Sequence, residues 1–354
     1  MKINIARALI VQLLAAMLCA PPLLAEINLE VMPPKGPLSK QTMTRLLLTD
    51  VARTGNRIIA VGDRGYIVAS ESNGETWVRA ETPPNLPLLT AVHFSDAKTA
   101  WAVGHDATIL KSSDEGRTWA QVFSAPKEQK PLMNILFTDA NTGFAVGAYG
   151  SYYETRDGGN AWTARKIVET PKAAPLPAKK SKAGMDAEPA DNKGGDEDKH
   201  LNAIIKTGDN KLFIVGEAGL LLKSDDMGKN WVKVPSPYKG SYFGVLQAQD
   251  GAILIYGLRG KIFRSPNSAL REWKVVENKS VASIMGGTRL ADGTLVLSGL
   301  AGMVLISRDN GQTFAPLPTG LTKGYAAPVQ GAPNALLLVG EAGARDIVLP
   351  AAAK

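Results

Sequence analysis

The stretch AVGHDATILKSSDEGRTW, running from Ala102 to Trp119, sets the fold of this chain. Begun two residues earlier, AWAVG from Ala100 is an apolar run of strand length that ends on Gly104, and TILKSS from Thr108 is a second such run. Only His105, Asp106 and Ala107 lie between them, so the two read as antiparallel neighbours joined by a tight turn. Ser112, Asp114 and Gly116 mark a further turn, after which WAQVFS from Trp119 forms another strand. Upstream, LLTAVHFSD from Leu88 supplies the first strand of the unit. The unit is a meander of four short strands.

The phrase recurs along the chain. It reads AVGDRGYIVASESNGETW from Ala60, AVGAYGSYYETRDGGNAW from Ala145 and IVGEAGLLLKSDDMGKNW from Ile214. Then follow IYGLRGKIFRSPNSALREW from Ile255, LSGLAGMVLISRDNGQTF from Leu297 and a truncated LVGEAGARDIVLP from Leu338. The shared glycines, Gly62, Gly104, Gly147, Gly216, Gly257, Gly299 and Gly340, are spaced by 42, 43, 69, 41, 42 and 41 residues. Four strands per period, repeated, are the signature of an all-β, seven-bladed β-propeller of four-stranded antiparallel blades. The expected blades span residues 43–81, 88–126, 132–168, 201–237, 241–278, 281–318 and 323–350. The last lacks a fourth strand, and Ile27 to Met32 is an orphan strand before the first. The N-terminal strand is therefore expected to complete the last blade and close the ring, removing exposed sheet edges.

The turn between third and fourth strands has its own pattern: Ser or Thr, any residue, Asp, any residue, Gly, two more, then an aromatic. It is complete in Ser112, Asp114, Gly116, Trp119, in Thr155, Asp157, Gly159, Trp162 and in Ser224, Asp226, Gly228, Trp231. Ser307, Asp309 and Gly311 end in Phe314. An Asp in such a hairpin accepts hydrogen bonds from its own backbone, and Gly supplies the positive φ of the reversal. Trp77 and Trp273 hold the aromatic position in the two copies where Ser72 and Asn267 replace the acid, and those two hairpins are expected to be looser. All these residues are read as structural.

This turn resembles the Asp box of bacterial neuraminidase repeats. The longer phrase AVGxxGxIxxSxDxGxTW is similar to the photosystem II assembly and stability factor family of propellers, over Met43 to about Pro350. The resemblance implies an exported, non-enzymatic propeller that helps a membrane complex assemble, with no cofactor. Members also occur in bacteria without photosynthesis, so the family name need not describe the task here.

Composition narrows the alternatives. The 354 residues include 40 Lys plus Arg against 33 Asp plus Glu, and the +7 excess is spread along the chain, so nucleic acid is not implied. The single Cys19 excludes a disulfide scaffold. Lys2 and Arg7 precede an apolar stretch from Ala8 to Cys19, then Pro21, Pro22 and Ala25, the layout of a signal peptide over residues 1–25. The expected mature chain, 26–354, is an exported, soluble monomer of the periplasm, or of the thylakoid lumen in a photosynthetic organism. Residues 169–199 insert between blades three and four. They are basic at Lys172, Lys179, Lys180 and Lys182, and acidic at Asp186, Glu188, Asp191, Asp196, Glu197 and Asp198. With almost no apolar side chain, the insertion is expected to be a disordered loop.

A sialidase-like hydrolase requires three converging arginines. Arg45 and Arg64 fall in the first blade and Arg259 in the fifth, too far round the ring to converge. His93, His105 and His200 show no ligand spacing, so no metal is expected. A carbohydrate-binding module needs aromatics at the mouth, for which Tyr149, Tyr242, Phe243 and Tyr325 are the candidates. Lysines offer the better clue. Lys40, Lys130, Lys199, Lys239, Lys279 and Lys323 each shortly precede an inner strand, on the face that carries the turns with Arg64 and Arg259 and opposite the Asp-bearing hairpins. Together with Arg45 these cations form the expected partner-binding set, steering an anionic loop of a membrane-protein complex toward the pore mouth. Asp63, Glu217 and Glu341 dilute that field.

Overall fold

The second strand is buried along its whole length in six repeats and in all but Ala335 of the seventh, and this dictates the architecture. In Arg57–Gly62, Ile58 and Ala60 enter one apolar cluster while Ile59 and Val61 enter another. A strand with two apolar faces needs a sheet packed on each side, which is why its sequence is a continuous apolar run. Stacked in series, such sheets form a ring.

In the computed structural model of the chain, residues 36–167 and 198–350 are described. They form seven antiparallel sheets, each running from an inner to an outer strand in chain order apart from one added N-terminal strand on the first. The inner strands are Leu48–Thr54, Leu89–Phe94, Leu132–Phe137, Leu201–Lys206, Tyr242–Gln247, Ile284–Arg289 and Tyr325–Gln330. Blades two to six have four strands. The expected signal peptide, strand 27–32 and most of the insertion lie outside the described residues.

Seven apolar clusters fill seven joints, as a closed ring requires and an open arc would not. Six join consecutive blades. The seventh joins Ile58, Ala60 and Val68 of the first blade to Ala327, Val329, Leu337 and Val339 of the last. The N-terminal segment seals this joint: Leu38, Met43 and Leu46 pack in the same cluster. Pro37–Leu38 forms a fifth strand on the first sheet, pairing Pro37 with Val78 and Leu38 with Trp77. The seventh sheet has three strands among the described residues, the outermost being Gly343–Val348.

Two recurring devices lock the blades. Every inner strand carries a bulge at its second residue, between Leu48 and Asp50 in the first blade and between Leu89 and Ala91 in the second. The repeated glycine faces it. A Cβ on Gly62 would stand 2.0 Å from the Leu47 carbonyl oxygen, and one on Gly104 2.2 Å from that of Leu88. Those positions admit no side chain.

The second device is the hairpin. Asp114 Oδ1 accepts from the backbone N–H of Thr118 (2.9 Å) and Arg117 (3.1 Å) and from Ser112 Oγ (2.7 Å), and Ser112 Oγ accepts from Gly116 N–H (2.8 Å). The aromatics go further than covering their own hairpin. Trp119 packs in the joint with the preceding blade, as do Trp77, Trp162, Trp231 and Phe314 in theirs. The first hairpin is not loosened by Ser72, whose hydroxyl accepts from Thr76 N–H at 2.8 Å while Gly74 N–H still bonds Ser70 Oγ. The fifth is reorganised instead. Leu270 turns into the core at φ 55°, and Ser268 donates to Asp209 of the neighbouring blade.

Candidate functional site: the turn-and-linker face

At one end of the ring, each turn between second and third strands is met by the linker that enters the next blade. The Ala107 N–H donates to the Lys130 carbonyl (2.9 Å), Gly150 N–H to that of Lys199 (3.0 Å) and Gly219 N–H to that of Gly240 (3.0 Å). Contact elsewhere is equally close: a Cβ on Gly260 would be 2.5 Å from the Ser280 oxygen, and one on Gly302 2.0 Å from that of Leu321. These contacts fix the backbones of the linker lysines on one face.

Lys239, Lys279 and Lys323 are exposed there, while Lys130 and Lys199 are half-buried. Lys40 begins the short helix Lys40–Met43, which leads into the first inner strand, and Arg45 follows it, exposed. The second blade's linker, Leu86 to Leu88, contributes no cation.

The turns themselves present variable side chains from a backbone that most residues avoid. Their central residues, Arg64, Asp106, Tyr149, Ala218, Arg259 and Ala301, all have φ between 48° and 57°. Holding a non-glycine residue in this left-handed region costs about 1–3 kcal/mol, and such outliers concentrate at binding surfaces. Arg64 and Arg259 are exposed on turns of the first and fifth blades, with two blades intervening on the shorter way round, so no arginine trio is assembled. Acidic groups are interleaved. Asp63 pairs with Arg64 at 3.7 Å, and Glu217 lies 3.8 Å from His200 Nδ1. The His200 ring meets the exposed Tyr149 edge-on at 4.9 Å.

Two of the four aromatics weighed for a sugar platform are corrected by the structure. Tyr242 and Tyr325 are each only 1% exposed, packed between blades. Their place at the start of an inner strand aims the ring into the joint rather than the mouth. Among the described residues, no group of three or more His, Cys, Asp or Glu is placed to hold a metal ion.

Inside the ring, the inner strands expose an unpaired edge to the axis, and side chains bridge these edges from blade to blade. Thr49 and Thr90 hydroxyls donate to the Leu89 and Leu132 carbonyls, and Asn202 donates to that of Tyr242 at 2.7 Å. Asp50 Oδ2 accepts from Val92 N–H at 2.9 Å, and Asn134 Oδ1 accepts from Ile204 N–H at 3.4 Å. Asp50 keeps some accessible surface, yet protein surrounds it, and this desolvation pushes its carboxyl up to about 7 against the two N–H bonds that lower it. Desolvation likewise holds His93 down to about 4, opposed by a hydrogen bond with the Phe137 backbone. Gly244 and Gly287 leave room for the Tyr256 phenol, held above its usual range by burial and by Asp50.

The same architecture occurs in known proteins. Residues 87–151 match the family model described as photosynthesis system II assembly factor YCF48. The resemblance to that family holds. The structure described as YCF48 bound to D1 peptide is similar at TM-score 0.65 and 16% identity, covering 90% of this chain and 98% of that one. YCF48 from Cyanidioschyzon merolae is similar at TM-score 0.62 and 18% identity, covering 87% and 97%. A streptogramin B lyase shares the fold at TM-score 0.63 and 14% identity, covering 88% and 96%, so this ring is also used by an enzyme. No curated protein matches the chain.

Sequence reading missed the residues that line the channel and a basic recess between blades three and four. The first follow from the inner-strand bulge, which no local pattern reveals. The second had a signal: Tyr152 and Glu154 break the repeat at positions where the other full-length copies are aliphatic, small or basic.

Proposed function

We propose that this protein is an exported, monomeric, non-enzymatic scaffold that assists assembly of an envelope membrane-protein complex, an exporter being one such partner. The turn-and-linker face would receive an anionic segment of an assembling subunit. The observation that carries this reading is that the linkers bearing Lys130, Lys199 and Lys239 are hydrogen-bonded to the neighbouring turns, and those bearing Lys279 and Lys323 lie against theirs. The match of residues 87–151 to an assembly-factor family, and the likeness to a propeller described as bound to a peptide, support it. No helix among the described residues is long and apolar enough to cross a membrane, consistent with a factor that works beside one.

Exposed pairs are individually weak and screened by salt, so the face would act by steering and by the sum of several contacts. The test is charge reversal of Lys130, Lys239 and Lys323 to Glu, followed by co-purification from solubilised membranes. Loss of the captured complex with an unchanged unfolding temperature is the expected result. Retained capture would remove the face from the mechanism.

A further inference from the structure

A recess of about 500 Å³ opens between blades three and four, against the hairpin residues Gly228, Lys229 and Asn230. Tyr152 and Trp231 form its floor, Glu154, Arg156, Arg165 and Lys166 one wall, and Gly228, Lys229 and Asn230 the other. Its volume falls within the range of ligand sites.

Comparison with the other repeats shows how the lining of this recess departs from the common pattern, with Ala69 and Ile306 standing at the Glu154 position in blades one and six. Where blade three has Glu154, blades two, four and five have Lys111, Lys223 and Arg264. Lys111 Nζ donates to the Gly158 carbonyl (2.9 Å) and Arg264 Nε to that of Asn310 (2.9 Å), each reaching the next blade's hairpin. A carboxylate cannot donate to a carbonyl, so in blade three this tie is lost and Arg156 reaches round to the Met227 carbonyl at 3.2 Å instead. The buried position beside it is aliphatic in the other five full-length copies (Ile67, Ile109, Leu221, Ile262 and Val304) but is Tyr152 here. Both departures fall on the recess.

Charge decides the occupant. Glu154, almost fully buried, is in ion pairs with Arg156 and with Arg165 (3.4 Å), and Arg156 also lies over the Phe144 ring at 5.4 Å. The two arginines are thus fixed in place around one carboxylate, leaving an excess of positive charge. Lys166 and Lys229 stand at the rim, exposed, and no carboxylate among the described residues pairs with either. One exposed pair contributes little, so a single small anion is held weakly, whereas several carboxylates on one chain add their contacts.

We infer that this recess is a second binding site, independent of the lysine face, that takes an acidic polypeptide segment through Arg156, Arg165, Lys166 and Lys229. The probe is fluorescein-labelled hexaglutamate, followed by anisotropy on the full chain, with hexaglutamine as the neutral control. Lys166→Glu with Lys229→Glu is expected to weaken binding about tenfold, because both side chains are exposed and the fold does not depend on them. Lys239→Glu with Lys323→Glu is expected to leave it unchanged, which also separates this site from the face proposed above. Equal weakening by both pairs, no weakening by the first, or equal affinity for hexaglutamine overturns the inference. So does displacement of the peptide by inorganic phosphate at matched total charge, which would mark a small-anion site.

Discussion

Asp50 and His93 occupy equivalent stretches of adjacent inner strands, and desolvation shifts them in opposite senses. Folded Asp50 keeps its proton to about pH 7, whereas the unfolded chain releases it near 4. Its contribution to stability is therefore full below pH 4 and is lost as pH rises to 7. Folded His93 refuses a proton down to about 4 while the unfolded chain takes one near 6.5, so its contribution is full above 6.5 and is lost as pH falls. The two trends offset each other across one window. Asp50→Asn removes one of them. Asparagine can still accept from Val92 N–H, as Asn134 does from Ile204, so the variant is expected to fold and to gain about 1–3 kcal/mol at pH 8. Its stability should then fall from pH 7 to 4, where the parent is nearly flat. Thermal unfolding at pH 5, 6.5 and 8 checks both signs.

At the scale of the element, the hairpin explains why the repeat was readable. Its Ser, Asp and Gly act within six residues, so the bonds follow from local sequence. Burial would raise the Asp114 carboxyl, but the bonds from Thr118, Ser112 and Arg117 outweigh it and hold it down to about 2. Its stabilisation is thus full above pH 4 and lost as pH falls toward 2. Asp114→Ala should cost about 1–2 kcal/mol at pH 7 and flatten the acid limb of the denaturation curve below pH 4. Ser72→Ala should cost a similar amount, because that hydroxyl accepts the equivalent Thr76 N–H. A neutral Ser72→Ala variant, measured by urea unfolding, would show that the first hairpin is as loose as its missing acid suggested. By contrast, Gly104→Ala meets the Leu88 carbonyl backbone and should cost more than either hairpin change, about 2–4 kcal/mol by the same measurement.

For the whole molecule, the joint between first and last blades is the one that chain connectivity does not enforce. Met43 and Leu46, 4% and 7% exposed, fill it from the N-terminal side. Met43→Ala and Leu46→Ala should each cost about 2–4 kcal/mol and open the ring locally, so hydrogen exchange should speed up in Leu48–Thr54 and Ala335–Gly340 before other strands. Uniform exchange across all seven blades would show that closure does not depend on this segment. The sequence by itself determined the repeat count, the all-β class, the two faces of the ring and the structural hairpins, because each depends on periodicity or on groups a few residues apart. Only the tertiary structure decided that the hairpin aromatics fill joints, that Tyr242 and Tyr325 are core, that Asp50 caps a neighbouring blade and that Glu154 lines a recess. Each of those depends on atoms some forty residues or more apart meeting across a joint, and no local pattern encodes which side chain the next blade will bring.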